Sequence, residues 1–243
     1  MKRNEIYLGD CLELMPKHIE DKSIDMIFCD LPYGTTQNKW DSVIDLDKLW
    51  TEYKRVIKDS GAIVLFAQTP FDKVLSVSNL GMLKYEWIWR KSRPTGHLNA
   101  NKMPMKAHEN ILIFYKKLPI YNKQTTIGIP NGIPYKGIRR TKEKQNNYGV
   151  YDNVKKEKTI VKNPVSVIDF NSLSPKKTIH PTQKPLELIE YMIKTYTNEG
   201  DLILDNTCGS GTTGLGAKNL KRDYIMMEQD PKYYEIACKR VLT

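Results

Sequence analysis

A chain of 243 residues, 40% of them hydrophobic, is long enough for one large α/β domain with an insertion. No uninterrupted apolar stretch approaches the roughly 18 residues of a membrane span, and the N-terminus runs straight into a strand pattern without an apolar signal core. Cys11, Cys29, Cys208 and Cys238 are scattered, without the close pairing of a zinc site, and a reduced, cytoplasmic protein is the simplest expectation.

In chain order, Glu5 to Gly9 reads as a short strand and Cys11 to Ile19 as a helix. Asp25 to Cys29 is an apolar strand. Leu46 to Ile57 carries helical periodicity that Ser60-Gly61 is expected to end. Ala62 to Ala67 is fully apolar and reads as a buried strand, and Phe71 to Asn79 as a helix. Tyr85 to Arg90 and Asn110 to Tyr115 leave little room for a crossover helix, so they are expected to form an antiparallel edge. Trp87 and Trp89 alternate within the first of these and read as core rather than base-stacking residues.

From Lys116 to about Lys177 periodicity disappears and Asn, Lys, Gly, Pro and Tyr dominate, which predicts loops and short strands. Alternation resumes after Pro185 with a helix to about Tyr196. Strand Leu202 to Asp205, a Gly-rich turn, a helix from Thr212, strand Tyr224 to Met227 and a helix from Pro231 follow. The pattern predicts a mostly parallel sheet with helices on both faces, interrupted by a loop-rich insertion.

The net charge of +10 is unevenly spread: residues 116–165 hold 12 Lys and Arg against 3 Asp and Glu. An excess confined to one segment suggests a polyanion-binding surface driven by phosphate neutralisation. A solvated lysine-rich loop is the bland alternative.

Two stretches could carry chemistry. Asp30-Leu31-Pro32-Tyr33 follows the strand Met26-Cys29 and presents a carboxylate, a carbonyl stiffened by the next proline, and an aromatic ring at a strand's C-terminal end. Asp205 to Thr213 is a Gly-rich turn opening a helix, and Glu228 lies 23 residues after Asp205, where an acid commonly receives ribose hydroxyls. A nucleoside cofactor is expected. Gly209, Gly211 and Gly214 also spell the spacing of a nicotinamide loop, so an oxidoreductase is a competing expectation, whereas the Gly-Lys-Ser/Thr of a P-loop is missing. If Leu202–Asp205 lies beside Met26–Cys29, both sites share one crevice, bordered by Gly9-Asp10. Asp10 reads either as a helix N-cap or as a cofactor contact. His97, His108 and His180 have no partners at metal-ligand spacing, and no metal is expected.

These motifs, in this order, resemble the S-adenosylmethionine-dependent amino-group DNA methyltransferases of the beta class. Their fold is a Rossmann-like sheet with circularly permuted motif order. Asp30-Leu31-Pro32-Tyr33 is similar to the family's catalytic Asp-Pro-Pro-Tyr, with leucine replacing the first proline. The family contact there is a carbonyl oxygen, which leucine also supplies. Glu109 to Tyr115 is similar to the strand that closes over the target base. His180-Pro181-Thr182-Gln183-Lys184-Pro185 is similar to the segment opening the helix before the cofactor loop, and Cys208 stands where the family usually has an aromatic.

The resemblance implies catalysis by Asp30, Leu31, Pro32 and Tyr33. It implies cofactor contacts from Asp10, Cys11, Asp30, His180, Thr182, Lys184, Asp205, Thr207, Cys208, Gly209, Ser210, Gly211, Thr212, Thr213, Glu228 and Gln229. It also implies a division into a catalytic half (1–115), a target-recognition insertion (116–177) and a cofactor half (178–243) of one domain. Asp at position 30 favours adenine N6 over cytosine N4, where Ser is commoner, and an RNA base is a further alternative.

Double-stranded DNA is the implied partner. Lys91, Arg93 and Lys102 are expected on phosphate, and Arg139, Arg140, Gln145 and Asn146 are candidate base readers, since Arg and Asn/Gln are the usual ones in the major groove. A homodimer and a companion restriction endonuclease are compatible with the resemblance, which decides neither.

Overall fold

Alternation of apolar strands with amphipathic helices builds a single mixed sheet. The computed structural model describes residues 2–34, 43–127, 161–173 and 183–242. Its elements are β1 (Glu5–Leu8), α1 (Cys11–His18), β2 (Ile24–Asp30), α2 (Leu46–Val56), β3 (Ile57–Ala67), α3 (Phe71–Ser78), β4 (Leu83–Thr95) and β5 (Lys106–Phe114). After these come β6 (Thr126–Ile127), β7 (Val161–Lys162), β8 (Val167–Phe170), α4 (Leu186–Tyr196), β9 (Leu202–Asp205), α5 (Thr212–Asn219), β10 (Asp223–Glu228) and α6 (Pro231–Val241). The chain divides into a large unit, residues 1–122 with 165–243, and a small one, residues 123–164. In the small unit β6 and β7 form an antiparallel pair.

The large unit's sheet has eight strands in the order β1-β10-β9-β2-β3-β5-β4-β8. The five strands from β1 to β3 are mutually parallel. β5 runs antiparallel to both β3 and β4, as the short connection requires, and β8 joins parallel to β4. β8 thus belongs to the main sheet although sequence reasoning leaves its residues in the insertion.

Each strand of the middle is apolar on both faces because both faces are covered. Met26 and Phe28 pack with Leu188, Ile189 and Met192 of α4 and with Val241 of α6. Ile27 and Cys29 point the other way, against Met15 of α1, Leu49 and Tyr53 of α2 and Leu75 of α3. Trp87 and Trp89 are buried core residues, the former donating its indole N–H to Tyr196 Oη at 2.7 Å.

The expected helix stop at Ser60-Gly61 lies instead inside β3, which begins directly after α2. The glycine has another reason: a Cβ on Gly61 would stand 2.8 Å from the carbonyl oxygen of Asp25 on the neighbouring strand. Only glycine lets the two backbones come that close.

The feature that positions the site is the pairing of β2 with β9, Met26 against Ile203 and Ile27 against Leu204. From β2 the chain moves through α2 to β3 on one side; from β9 it moves through α5 to β10 on the other. The winding reverses between them, and the carboxyl ends of two such strands leave a crevice for a ligand.

Candidate active site

Asp30 ends β2 at this crevice. Leu31 is buried, which fixes the turn that follows, and the Tyr33 ring stacks on Phe71 with centroids 5.3 Å apart. The Tyr33 hydroxyl donates to Asp30 Oδ1 at 2.7 Å, and the Lys184 ammonium donates to Asp30 Oδ2 at 2.6 Å. Burial raises the Asp30 carboxyl above its ordinary range, with Lys184 pulling against it.

Across the crevice, Asp205 ends β9 and is buried, its Oδ1 accepting the Thr207 amide at 3.1 Å. Burial, only partly offset by bonds from Thr213 and Thr207, lifts its carboxyl to about 7. Asn206 turns inward. Its Oδ1 accepts from Tyr53 Oη at 2.6 Å and Cys29 Sγ at 2.9 Å, and its Nδ2 donates to Cys11 Sγ at 3.3 Å. Sequence reasoning missed this residue, which anchors the loop to β2, α1 and α2 and also borders the cavity in this crevice.

The turn continues through Gly211 at φ +76°, where a Cβ would press on Val241 and Ala237 of α6 at 2.9 and 3.1 Å. A left-handed backbone and no room beside it both require glycine. From α6, Arg240 Nη1 donates to the Ser210 carbonyl and to the hydroxyls of Ser210 and Thr212 at 2.9–3.1 Å. Glu228 closes the far end of β10. Its Oε2 accepts the Gly209 amide and its Oε1 the Asp230 amide, each at 2.8 Å.

One cavity of about 330 Å³ runs along this crevice, within the range of small-molecule sites. It is bounded by Asp10 and Cys11, by Asp30 to Tyr33, by Lys184, and by Asp205 to Ser210, Thr212, Thr213, Glu228 and Gln229. Asp10 serves both expectations, since it borders the cavity and caps α1 by accepting the Leu12 amide at 2.8 Å. His180 and Thr182, like Arg139, Arg140, Gln145 and Asn146, lie outside the described residues.

Two lysines behave otherwise than a sequence suggests. Lys91 does not face phosphate: its side chain is 8% exposed and its ammonium sits 2.5 Å from Glu109 Oε1. Lys184 borders the cavity, yet its ammonium is held between Asp30 and Glu109 Oε2, the latter at 3.1 Å. Glu109 was legible only as the start of an apolar strand; an acid opening such a run was the one available hint. Arg93 and Lys102 are exposed on β4 and the connection to β5. Among the described residues no group of three His, Cys, Asp or Glu side chains could hold a metal, and no helix is long and apolar enough to cross a membrane.

The DNA methylase family model, which covers N6 and N4 methyltransferases, matches residues 24–239. The chain belongs to this family. The methylase is 30% identical to the type II methyltransferase M.HpaI of Haemophilus parainfluenzae, over 93% of this chain and 70% of that one. It is 31% identical to M.BglII of Bacillus subtilis over 96% and 68%, and 27% identical to M2.MboI of Moraxella bovis over 98% and 88%.

In fold it is similar to M1.HpyAVI in complex with SAM, at a TM-score of 0.66 and 24% identity over 98% of this chain and 99% of that one. It is equally similar to the cytosine-N4-specific PvuII DNA methyltransferase, at 0.67 and 18% over 100% and 88%. The methylase is therefore an amino-group DNA methyltransferase, and S-adenosylmethionine is the family's methyl donor.

The cavity suits that donor. Gly209 and Ser210 line it, whereas Gly211, expected as a cofactor contact, packs against α6 and does not border it. The buried acids Asp205, at the end of β9, and Glu228, at the end of β10, both do.

Proposed function

We propose that the methylase acts on the exocyclic N6 of an adenine flipped out of double-stranded DNA. The observation that carries this reading is the placement of Asp30 and its following turn beside the Asp205–Thr213 loop, across one crevice between β2 and β9.

The chemistry follows from what an exocyclic amine lacks. Its lone pair is delocalised into the ring, so it is a poor nucleophile. The Asp30 carboxylate and the Leu31 carbonyl each accept one N–H and favour a pyramidal nitrogen with a localised lone pair. When bound, the donor would supply a methyl group on a sulfonium. The N–C bond forms as the C–S bond breaks, the neutral thioether leaves with that electron pair, and the amine's surplus proton passes to the Asp30 carboxylate or to water. Holding an amine in line with the methyl group supplies on the order of 7 kcal/mol or more of the barrier. Tyr33 leaves its Asp30 contact to stack on the base, and the base leaves the helix first because its amine is otherwise enclosed in the stack.

Glu228 receives the ribose hydroxyls, Asp10 and Cys11 border the adenine, and the amides of Gly209, Ser210, Thr212 and Thr213 meet the rest of the donor. His180 and Thr182 complete that shell. Arg93 neutralises phosphate from β4 and Lys102 from the connection to β5. The segment 116–177, which contains Arg139, Arg140, Gln145 and Asn146, reads the target sequence between the catalytic half (1–115) and the cofactor half (178–243). A cytoplasmic setting, a homodimer and a companion restriction endonuclease fit the same reading.

Cytosine N4 is the second reading, favoured by the fold's similarity to a cytosine-N4-specific enzyme. Expression in a host without DNA methylation, followed by single-molecule sequencing of its plasmid DNA, separates the two. Modified adenines within one short sequence support the reading, whereas modified cytosines overturn the choice of base.

A further inference from the structure

Four charged side chains from four parts of the chain form one row. Lys91 of β4 meets Glu109 of β5 at 2.5 Å, Glu109 meets Lys184 at 3.1 Å, and Lys184, two residues before α4, meets Asp30 at 2.6 Å. The side chains of the first three are only 8–9% exposed. Withdrawing an ion from water costs several kcal/mol, and a well-packed apolar group usually serves a core as well or better. The row's inner end borders the cavity at Asp30 and Lys184. What the row reaches is the carboxylate at the reaction centre.

We propose that Lys184 is a positioning residue. It commits Oδ2 of Asp30 to its own ammonium and leaves Oδ1 for the target amine, and Glu109 backed by Lys91 keeps it there. The proposal rests on Asp30 being the group that receives the amine.

The two oxygens of Asp30 are held unequally. Oδ2 faces a buried ammonium fixed from behind by Glu109 and lying 5.0 Å from the Phe66 ring centroid, a second favourable contact for a cation. Oδ1 faces a phenol hydroxyl on the turn that borders the cavity. A neutral hydroxyl yields to an incoming amine; an ammonium clamped by two carboxylates does not. Of the two carboxylates the ammonium is nearer to Asp30, at 2.6 Å against 3.1 Å for Glu109 Oε2.

The groups facing Asp30 are Tyr33 from its own turn, Lys184 from the segment before α4, Glu109 from β5 and Asp205 from β9. Lys184 favours the ionised carboxylate and the Glu109 charge opposes it. Removing one or the other must therefore move the Asp30 titration in opposite directions.

The test is a carboxyl-13C aspartate NMR titration of the ligand-free protein, with the Asp30 signal identified by its loss in Asp30→Asn. Lys184→Met is expected to move the Asp30 midpoint up, Glu109→Gln to move it down, and Lys184→Arg to bring it back toward wild type. A midpoint unmoved in folded Lys184→Met, or moved the same way in both variants, overturns the proposal. Should Lys184→Met not fold, the Glu109→Gln direction and the Lys184→Arg midpoint decide the matter.

In turnover, Lys184→Met should lower kcat at pH 7 at least about tenfold with KM for the donor nearly unchanged. A raised KM with kcat intact would assign Lys184 to the donor instead and refute the proposal. The titration uses neither donor nor DNA. Opposite shifts in a protein that methylates nothing would uphold the charge row and refute the proposed function.

Discussion

The Thr207 hydroxyl donates to the main-chain carbonyl of Asp30 at 3.2 Å, joining the loop after β9 to the turn after β2. This hydrogen bond adds to the β2–β9 pairing in holding the proposed donor loop against the proposed target-binding turn. Its loss should be felt in alignment more than in affinity. Thr207→Val is expected to lower the single-turnover rate about fivefold, the worth of roughly 1 kcal/mol, with donor binding by calorimetry little changed. A large loss of donor affinity at an unchanged rate would contradict the assignment.

Glu228 accepts two backbone amides of neighbouring turns, Gly209 and Asp230. Glu228→Ala should weaken S-adenosylmethionine binding by about 1–2 kcal/mol, the scale of a hydrogen bond to a charged group. Unchanged affinity by calorimetry would remove Glu228 from the donor site.

Asp205 gives a pH dependence with a definite sign. Its folded value of about 7 lies above the unfolded one, near 3.9. The stability it contributes as a neutral acid is fully present below the unfolded value and is lost as pH rises through about 7. Between pH 5 and 8 the ligand-free wild type should therefore lose melting temperature relative to Asp205→Asn. The donor is a cation and prefers the ionised carboxylate, so its affinity should rise over the same interval and flatten in the variant. Parallel melting curves for the two proteins would contradict the buried, protonated state.

Arg93 of β4 and Lys102 of the connection to β5 are exposed, whereas Lys91 is engaged inside. Replacing both with alanine should raise KM for DNA and reduce the salt dependence of binding by about one unit of slope per residue. The kcat at saturating DNA should persist. An unchanged salt slope would mean that neither touches phosphate.

Much of this site was legible in the sequence because the signals are local. Met26 to Cys29 is apolar at every position, as a strand covered on both faces must be, and Gly209 and Gly211 announce a turn through left-handed backbone. Asp30 and Asp205, each ending such a strand, could then be brought together by the one rule that ligands sit where the winding reverses. What was not legible depends on side-chain direction across the sheet. Lys91 looks like a surface cation because nothing near it in the chain reveals Glu109, which is brought opposite only by the β4–β5 pairing. Gly61 looks like a helix stop for the same reason: its true constraint is the Asp25 carbonyl on another strand. Val167 to Phe170 is too short and too mixed to show that it extends the sheet.

The most direct measurement is nucleoside mass spectrometry of unmethylated bacterial DNA after incubation with S-adenosylmethionine and either the wild-type protein or Asp30→Ala. The account predicts N6-methyldeoxyadenosine from the wild type and none from the variant, with donor binding retained by both. N4-methyldeoxycytidine in its place, or a variant that still methylates, would contradict it.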